Sequence, residues 1–273
     1  MRKTSLHFHQ TFAPEREYIS KLLALADGNL LLSKEDIFEK TGIPTGKSSG
    51  KVEPHICYAV FMGLLTDQVK NGDHLLARTE LGKAVFENDP HLMEPLTMLL
   101  CHYNLSRPIS GAALWHYVFH KAIPGLGRHI EGAVLDNVCR NEFGPTKIRF
   151  SPLRTCYSAD KCLGQLGLLD VENDIWRFKP APYQSDYLYA YAYTLLSSWE
   201  WLLPNRREVT FDEVQDVIGW NKSYLWSDRE TLNALDSLGD LRVISLNKQL
   251  KPITVIRNAT QYSVLEKLYS VRL

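Results

Sequence analysis

IPTGKSSGKVEPHICYAVFMGLL, running from Ile43 to Leu65, decides how the rest of the chain is read. Its first part, GKSSGK, is too rich in glycine and serine for a helix interior. Pro54 is tolerated only in a first helical turn, where its missing N–H would have no partner anyway. A helix is therefore expected from Lys51–Glu53 to Met62, with Ile56, Val60 and Leu64 facing inward and Gly63 ending it. Upstream, Ser33 caps KEDIFEKTG with Asp36 at the capping-box position and Gly42 as the exit. Before that, EREYISKLLALADGN places Tyr18, Leu22 and Leu25 on one stripe, with Gly28-Asn29 read as a stop. Downstream, Asn71-Gly72 lies between QVK and HLLA, a strong hairpin signal, and Thr79 caps ELGKAVFEN. Helix, turn, helix, hairpin, helix is the order of a winged helix-turn-helix.

The remainder echoes that stretch. A helix is expected in HIEGAVLDNVCRN. SPLRTCYSADKCLGQLGLL ends in a second Gly-Leu-Leu at Gly167, and DVENDIWRFKP follows as a hairpin turning near Asn173-Asp174. TFDEVQDVIGW, SDRETLNALDSLG and the strand–loop–strand LRVISLNKQLKPITVIRN repeat the pattern more faintly, and SVLEKLYSVRL closes the chain as a helix. Between the first two copies, HLMEPLTMLLCHYNLS and SGAALWHYVFHKAI are helical, and Pro124-Gly125-Leu126-Gly127 breaks the chain. QSDYLYAYAYTLLSSWEWLL is a long aromatic helix ended by Pro204. The fold class expected is mainly α with short β-hairpins (α+β), as tandem winged-helix-like modules joined by helical linkers. The divisions are 1–89, 90–127 (connector), 128–203 and 204–273.

With 45% hydrophobic and 23% charged residues, the 273-residue chain is an ordinary globular protein. Its formal net charge of +0 excludes a whole-chain polycation, so any nucleic-acid surface must be a local basic patch. The five cysteines form no Cys-x-x-Cys pair and suit reduced thiols. No secretory leader and no apolar run of about 20 residues is present, and the cytoplasm is the default location.

Several chemistries can be weighed against these residues. Gly42-Ile43-Pro44-Thr45-Gly46-Lys47-Ser48 has three residues between its glycines where a nucleotide loop needs four, and it follows a helical period instead of a strand. Read as a helix start, the same residues suit a DNA phosphate. Lys47, Ser48, Ser49 and Lys51 sit where backbone amides are unpaired and the helix dipole is positive, at the end of a recognition helix that enters the major groove. Lys70 and Arg78, on the hairpin and its exit, would reach flanking phosphates. Lys147, Arg149 and Arg154, with Lys161, form a comparable basic cluster in the second copy. His7 and His9 alternate with Phe8, so in an extended lead-in they would share a face and are the candidate metal ligands; no third ligand follows. His116 and His120 share a helix face, and with His102 they are read first as structural or solvent-facing. No paired-acid nuclease set, zinc set or catalytic triad emerges.

The segments FHQTFAPEREYISKLL, GKSSGKVEPHICYAVFMGLL, RTELGKAVFENDPHLMEPLTMLLCHYNLS and ALWHYVFHKAIP, in this order over the first 125 or so residues, resemble the SspB-like family of bacterial proteins encoded beside DNA phosphorothioation genes. The family-matching positions are His9, Thr11, Phe12, Lys47 and Lys51. The resemblance implies a component of a DNA phosphorothioate modification and antiphage defence system that nicks, or presents, one strand of duplex DNA for sulfur incorporation. A nickase would take a divalent metal, Mg²⁺ or Mn²⁺. The implied partners are double-stranded DNA, a cysteine desulfurase, an ATPase and an ATP-pyrophosphatase-type sulfur-transfer protein, with a second copy of the chain as a further candidate. The alternative is a non-enzymatic scaffold that docks those proteins through its winged-helix units and the aromatic helix from Tyr187 to Trp201.

Overall fold

Residues 6–46, 50–144, 146–249 and 251–270 are described by the computed structural model. Lys47, Ser48 and Ser49 lie outside the described residues. The fold is mixed α+β, dominated by helices, with three small antiparallel sheets of three strands each.

The first sheet grows from Ile43–Leu65 and its flanks. Helix α1 (Arg16–Leu25) runs directly into strand β1 (Asp27–Leu32), so Gly28-Asn29 lies inside a strand and does not simply stop the chain. Helix α2 (Lys34–Thr41) has the expected reciprocal Ser33–Asp36 capping box and a left-handed exit at Gly42. Helix α3 spans Val52–Phe61. Ile56 and Leu64 are fully buried and Val60 is half-buried. Gly63 turns the chain with φ 74°, and a Cβ there would stand 3.1 Å from the Asn104 side chain. Strands β2 (Leu65–Lys70) and β3 (Asp73–Arg78) pair around Asn71-Gly72, whose positive φ values of 54° and 93° fit a tight hairpin turn. β1 pairs with the far side of β3, giving the order β1-β3-β2. Helix α4 (Glu80–Asn88) follows, capped by Thr79.

Two more sheets have the same topology. After α5 (Pro95–Ser106), α6 (Ala113–Tyr117), a π turn at Val118–Ala122 and α7 (Ile123–Leu126), the second consists of β4 (His129–Glu131), α8 (Gly132–Phe143), α9 (Ser151–Ser158), β5 (Leu169–Glu172) and β6 (Ile175–Phe178), ordered β4-β6-β5. Helix α10 (Leu188–Leu202) precedes the third. That unit contains β7 (Glu208–Thr210), α11 (Phe211–Glu213) with its π continuation Val214–Ile218, α12 (Trp220–Tyr224), α13 (Asp228–Asp240), β8 (Ile244–Asn247) and β9 (Thr254–Arg257), ordered β7-β9-β8. Helix α14 (Gln261–Leu265) is shorter than the closing helix expected from the sequence.

Equivalent hydrogen bonds put the three units in register. Leaving its hairpin, the chain donates from Thr79 N to Leu64 O (3.0 Å) in the first unit, from Lys179 N to Leu168 O (2.8 Å) in the second, and from Asn258 N to Val243 O (3.0 Å) in the third. Gly63, Gly167 and Arg242 thus occupy one position, and all three have positive φ. Buried apolar residues of all three units belong to one continuous core.

The lead-in differs from expectation. Residues 6–11 form consecutive turns, closed by Gln10 N donating to His7 O and Phe12 N donating to His9 O. His7 and His9 therefore do not alternate along a strand, and their rings meet edge-on, 6.4 Å apart. Most of α10 is core: Tyr191, Leu195, Leu196 and Trp199 are buried, whereas Trp201 is exposed. All five cysteines are free thiols, and burial pushes Cys139 and Cys162 up to about 12, so they stay protonated at neutral pH. No helix among the described residues is long and apolar enough to cross a membrane.

Candidate nucleic-acid interface

The start of α3 and the start of α9 both meet the turn-rich segment 6–15. On the α3 side, Tyr58 Oη donates to Phe12 O (2.9 Å), and Glu15 N donates to His55 Nε2 (3.2 Å). That bond makes Nε2 an acceptor, so the proton sits on Nδ1, which donates to Lys51 O at 2.8 Å. On the α9 side, Arg149 Nη1 donates to Gln10 O (3.1 Å) and His7 Nε2 lies 3.2 Å from Thr146 Oγ1. Phe8 anchors the segment between Tyr58, Phe61 and Trp115. The family-matching residues His9, Thr11, Phe12 and Lys51 are therefore gathered where the first two units join.

Glu15 is the electrostatic centre of this junction. Lys51 Nζ reaches its Oε1 at 2.6 Å and Lys161 Nζ its Oε2 at 3.0 Å. Burial pushes the Glu15 carboxyl upward, but the two lysines outweigh it and hold the group below the usual glutamate range. Lys51 is consequently turned inward: its side chain is 23% exposed and lies over the rings of Phe12 and Tyr18. Arg16 extends the joint by donating to Leu92 O (2.7 Å) and to Asp160 O.

The other basic residues divide into clamps and exposed cations. Arg78 Nε donates to Leu23 O (2.7 Å) and Nη2 to Ala24 O (2.8 Å), so its guanidinium covers the last carbonyls of α1 and stacks 3.8 Å over Phe86. Lys70 is exposed at the hairpin tip, and Lys147, Arg149 and Arg154 are exposed on and before α9. Arg154 borders a polar recess of 260 Å³ with Lys179 and Asp170, the latter two paired at 2.8 Å.

The starts of the second helices differ among units. Neither α3, after Lys51, nor α9, after Phe150, has a side-chain cap, and each has a proline in its first turn. Glu53 on α3 is engaged by Lys34 at 2.8 Å. By contrast α13 has a full Ser227–Glu230 capping box and Asp228 beside it. An uncapped start leaves N–H groups for an external anion, and a capping-box carboxylate occupies that place.

His9, His55, His74, His102 and His120 are buried. Desolvation pulls His9 and His55 down to about 4. His102, also drawn to about 4 by burial, contacts Tyr157 Oη through Nδ1 and Ser223 O through Nε2, both at 2.7 Å. Ser223 Oγ in turn bonds His120 Nε2 (2.9 Å) and Ser106 Oγ (3.0 Å). Sequence reading missed Glu15 and His55 as junction residues. Neither has a motif, and their contacts across the junction lie 36, 40 and 146 positions apart.

Compared as a whole, the chain superposes on two solved structures over 99% of its length and 89% of theirs, each with a TM-score of 0.77. One is the SspB crystal structure, 17% identical, and the other is magnesium ion-bound SspB, 18% identical. The chain has the SspB fold. No protein-family model matches the sequence, nor does any curated protein. Magnesium is named for one of the SspB structures, so its fit can be tested on the residues of this chain. Among the described residues no three His, Cys, Asp or Glu side chains stand together as a metal-holding group. His9 holds Nδ1 against Gln10 O at 3.1 Å and leaves Nε2 buried without a hydrogen-bond partner, but no third His, Cys, Asp or Glu joins His7 and His9 among the described residues.

Proposed function

We propose that this protein is a DNA-binding component of a bacterial phosphorothioate modification and defence system, in which the three units act as winged helices. Units one and two hold duplex DNA across their joint and present one strand for nicking and sulfur incorporation. The observation that carries the reading is the convergence of two helix starts without side-chain caps on the segment 6–15, that of α3 through Lys51 and His55 and that of α9 through Arg149. The likeness in fold to SspB over nearly the whole chain supports it. Lys47 with Ser48 and Ser49, Lys70, Lys147, Arg149 and Arg154 are the phosphate contacts. Lys51 and Arg78 hold the frame on which those contacts stand. The cysteine desulfurase, ATPase and sulfur-transfer protein of such a system are the partners.

Duplex binding measured against salt tests this. Each phosphate contact adds about 0.9 to the slope of log affinity against log salt. The triple variant Lys147→Ala/Arg149→Ala/Arg154→Ala should lower both affinity and slope, by up to about 3 in the slope. An unchanged slope removes α9 from the interface. Supercoiled plasmid incubated with Mg²⁺ or Mn²⁺ tests nicking. Open-circle product assigns cleavage to this chain, and its absence leaves strand presentation.

A further inference from the structure

A groove of 270 Å³ lies between the first unit and the layer formed by α10 and α14, walled by Asn104, Arg107, Tyr193, Ser197, Trp201 and Tyr262 among others. Arg107 is its unusual member. Its Nε is buried without a hydrogen-bond partner, and the charged or polar groups that act on it are the hydroxyls of Tyr193 and Tyr103, with no carboxylate among them. Guanidinium keeps its proton under such burial, so the groove holds a cation without a counter-ion from the described residues. The acid on the rim, Glu80, is already paired with Lys83 at 2.7 Å.

The aromatic lining is equally uncommitted. Trp201 is 54% and Tyr262 61% exposed, and neither ring meets another aromatic ring of the described chain. Elsewhere the aromatics pack on each other, as Trp226 does with Tyr224 at 4.4 Å and with Trp220 at 5.5 Å. Flat apolar faces beside an unneutralised guanidinium match the two halves of a nucleotide, its base and its phosphate. A carboxylate side chain would use the cation and leave the rings bare.

We propose that this groove is a nucleotide subsite, in which Trp201 and Tyr262 stack an unpaired base and Arg107 takes the adjoining phosphate. The proposal rests on the DNA-binding reading and deepens it. A base in this groove must lie outside a helical stack, so the subsite selects a single strand or an extruded nucleotide over intact duplex.

The test uses the full chain, a fluorescein-labelled oligothymidylate read by anisotropy, and a duplex of mixed sequence as the parallel ligand. Trp201→Ala and Tyr262→Ala, both at exposed positions, should each weaken oligothymidylate binding about 10-fold and leave duplex binding unchanged. An abasic oligonucleotide of the same length, with the phosphates but no bases, should compete about 10-fold less well than unlabelled oligothymidylate. Arg107→Gln should weaken both single strands alike, and its circular dichroism and thermal melt should match the wild type. Unchanged affinity in both aromatic variants overturns the proposal. So does equal competition by the abasic strand, or displacement of the probe by oligoglutamate as effective as that by oligothymidylate. Duplex binding without single-strand binding sinks the subsite alone, whereas failure of the wild type to bind either ligand sinks the DNA reading with it.

Discussion

Units one and three share a frame and differ in what that frame presents. Both bring a helix, a strand, a helical stretch and a hairpin to the same sheet order, with two helices in that stretch in unit one and three segments in unit three. Both send an arginine from the last residue of the hairpin back to the end of the preceding helix: Arg78 to Leu23 O and Ala24 O, and Arg257 to Glu200 and Pro204 O. At the start of the second helix they part. Unit one starts its helix after Lys51 without a side-chain cap, with Glu53 of the first turn paired to Lys34, and unit three closes its own with a serine–glutamate box flanked by an aspartate. The frame is thus set by backbone closure and core packing, while the charge at one helix end is free to vary. Capping and charge at that helix end, more than topology, separate the two units.

The strongest way to break that comparison is with acid. Every histidine lies at or before position 129, so unit three has none. The folded chain keeps His9, His55 and His102 neutral down to about 4, because burial disfavours their charged forms, whereas unfolded histidine takes up its proton near 6.5. Between those values the unfolded state binds more protons. The stability contributed by the neutral rings is therefore complete above about pH 6.5 and drains as pH falls toward 4, at on the order of 1 kcal/mol per pH unit for each. Urea midpoints across this range should fall steeply in the wild type and less steeply in His55→Gln. Equal slopes would show that His55 is not held neutral by the junction. Hydrogen exchange at pH 5 should open the α1–α3 region before α13 and its hairpin.

How much of this was legible in the sequence follows from where local signals were strong. Ser33, Gly42, Pro54, Gly63 and Asn71-Gly72 each dictate a backbone state, and α2, α3 and the first hairpin fall at the expected residues. The recurrence at Gly167 carries over for the same reason. Unit three was faint because Arg242 holds the left-handed position that glycine marks in the other two. Strands β4 and β7 have three residues each, too few for alternation to show, and β1 exposes Leu30 and Leu31 where a half-buried strand would hide them. The basic residues were visible as residues but not as roles. Nothing local tells that Lys51 is spent on Glu15, 36 positions away, or that Arg78 is spent on the carbonyls of α1.

That last distinction separates Arg78 from Arg257 as well. Arg78 meets two backbone carbonyls at a helix end, the bond to Leu23 O part-buried and that to Ala24 O exposed, so Arg78→Ala removes a charge-assisted bond worth about 2 kcal/mol at Leu23 O. Arg257 leans chiefly on the half-exposed Glu200, where solvent replaces the lost partner, and Arg257→Ala should cost under about 1 kcal/mol. Urea midpoints of the two variants test the difference, and equal losses would mean that the two clamps are alike in energy as well as in placement.

The smallest effect expected is at the caps. Ser227→Ala removes the side chain that accepts from Glu230 N and should cost about 1 kcal/mol. It also leaves α13 with a free amide, as α3 and α9 have. If charge as well as capping separates unit three from the others, the variant will lose that stability without gaining duplex affinity, because Asp228 and Glu230 still repel phosphate. A measurable gain in duplex binding by Ser227→Ala would mean that the cap alone keeps unit three off DNA.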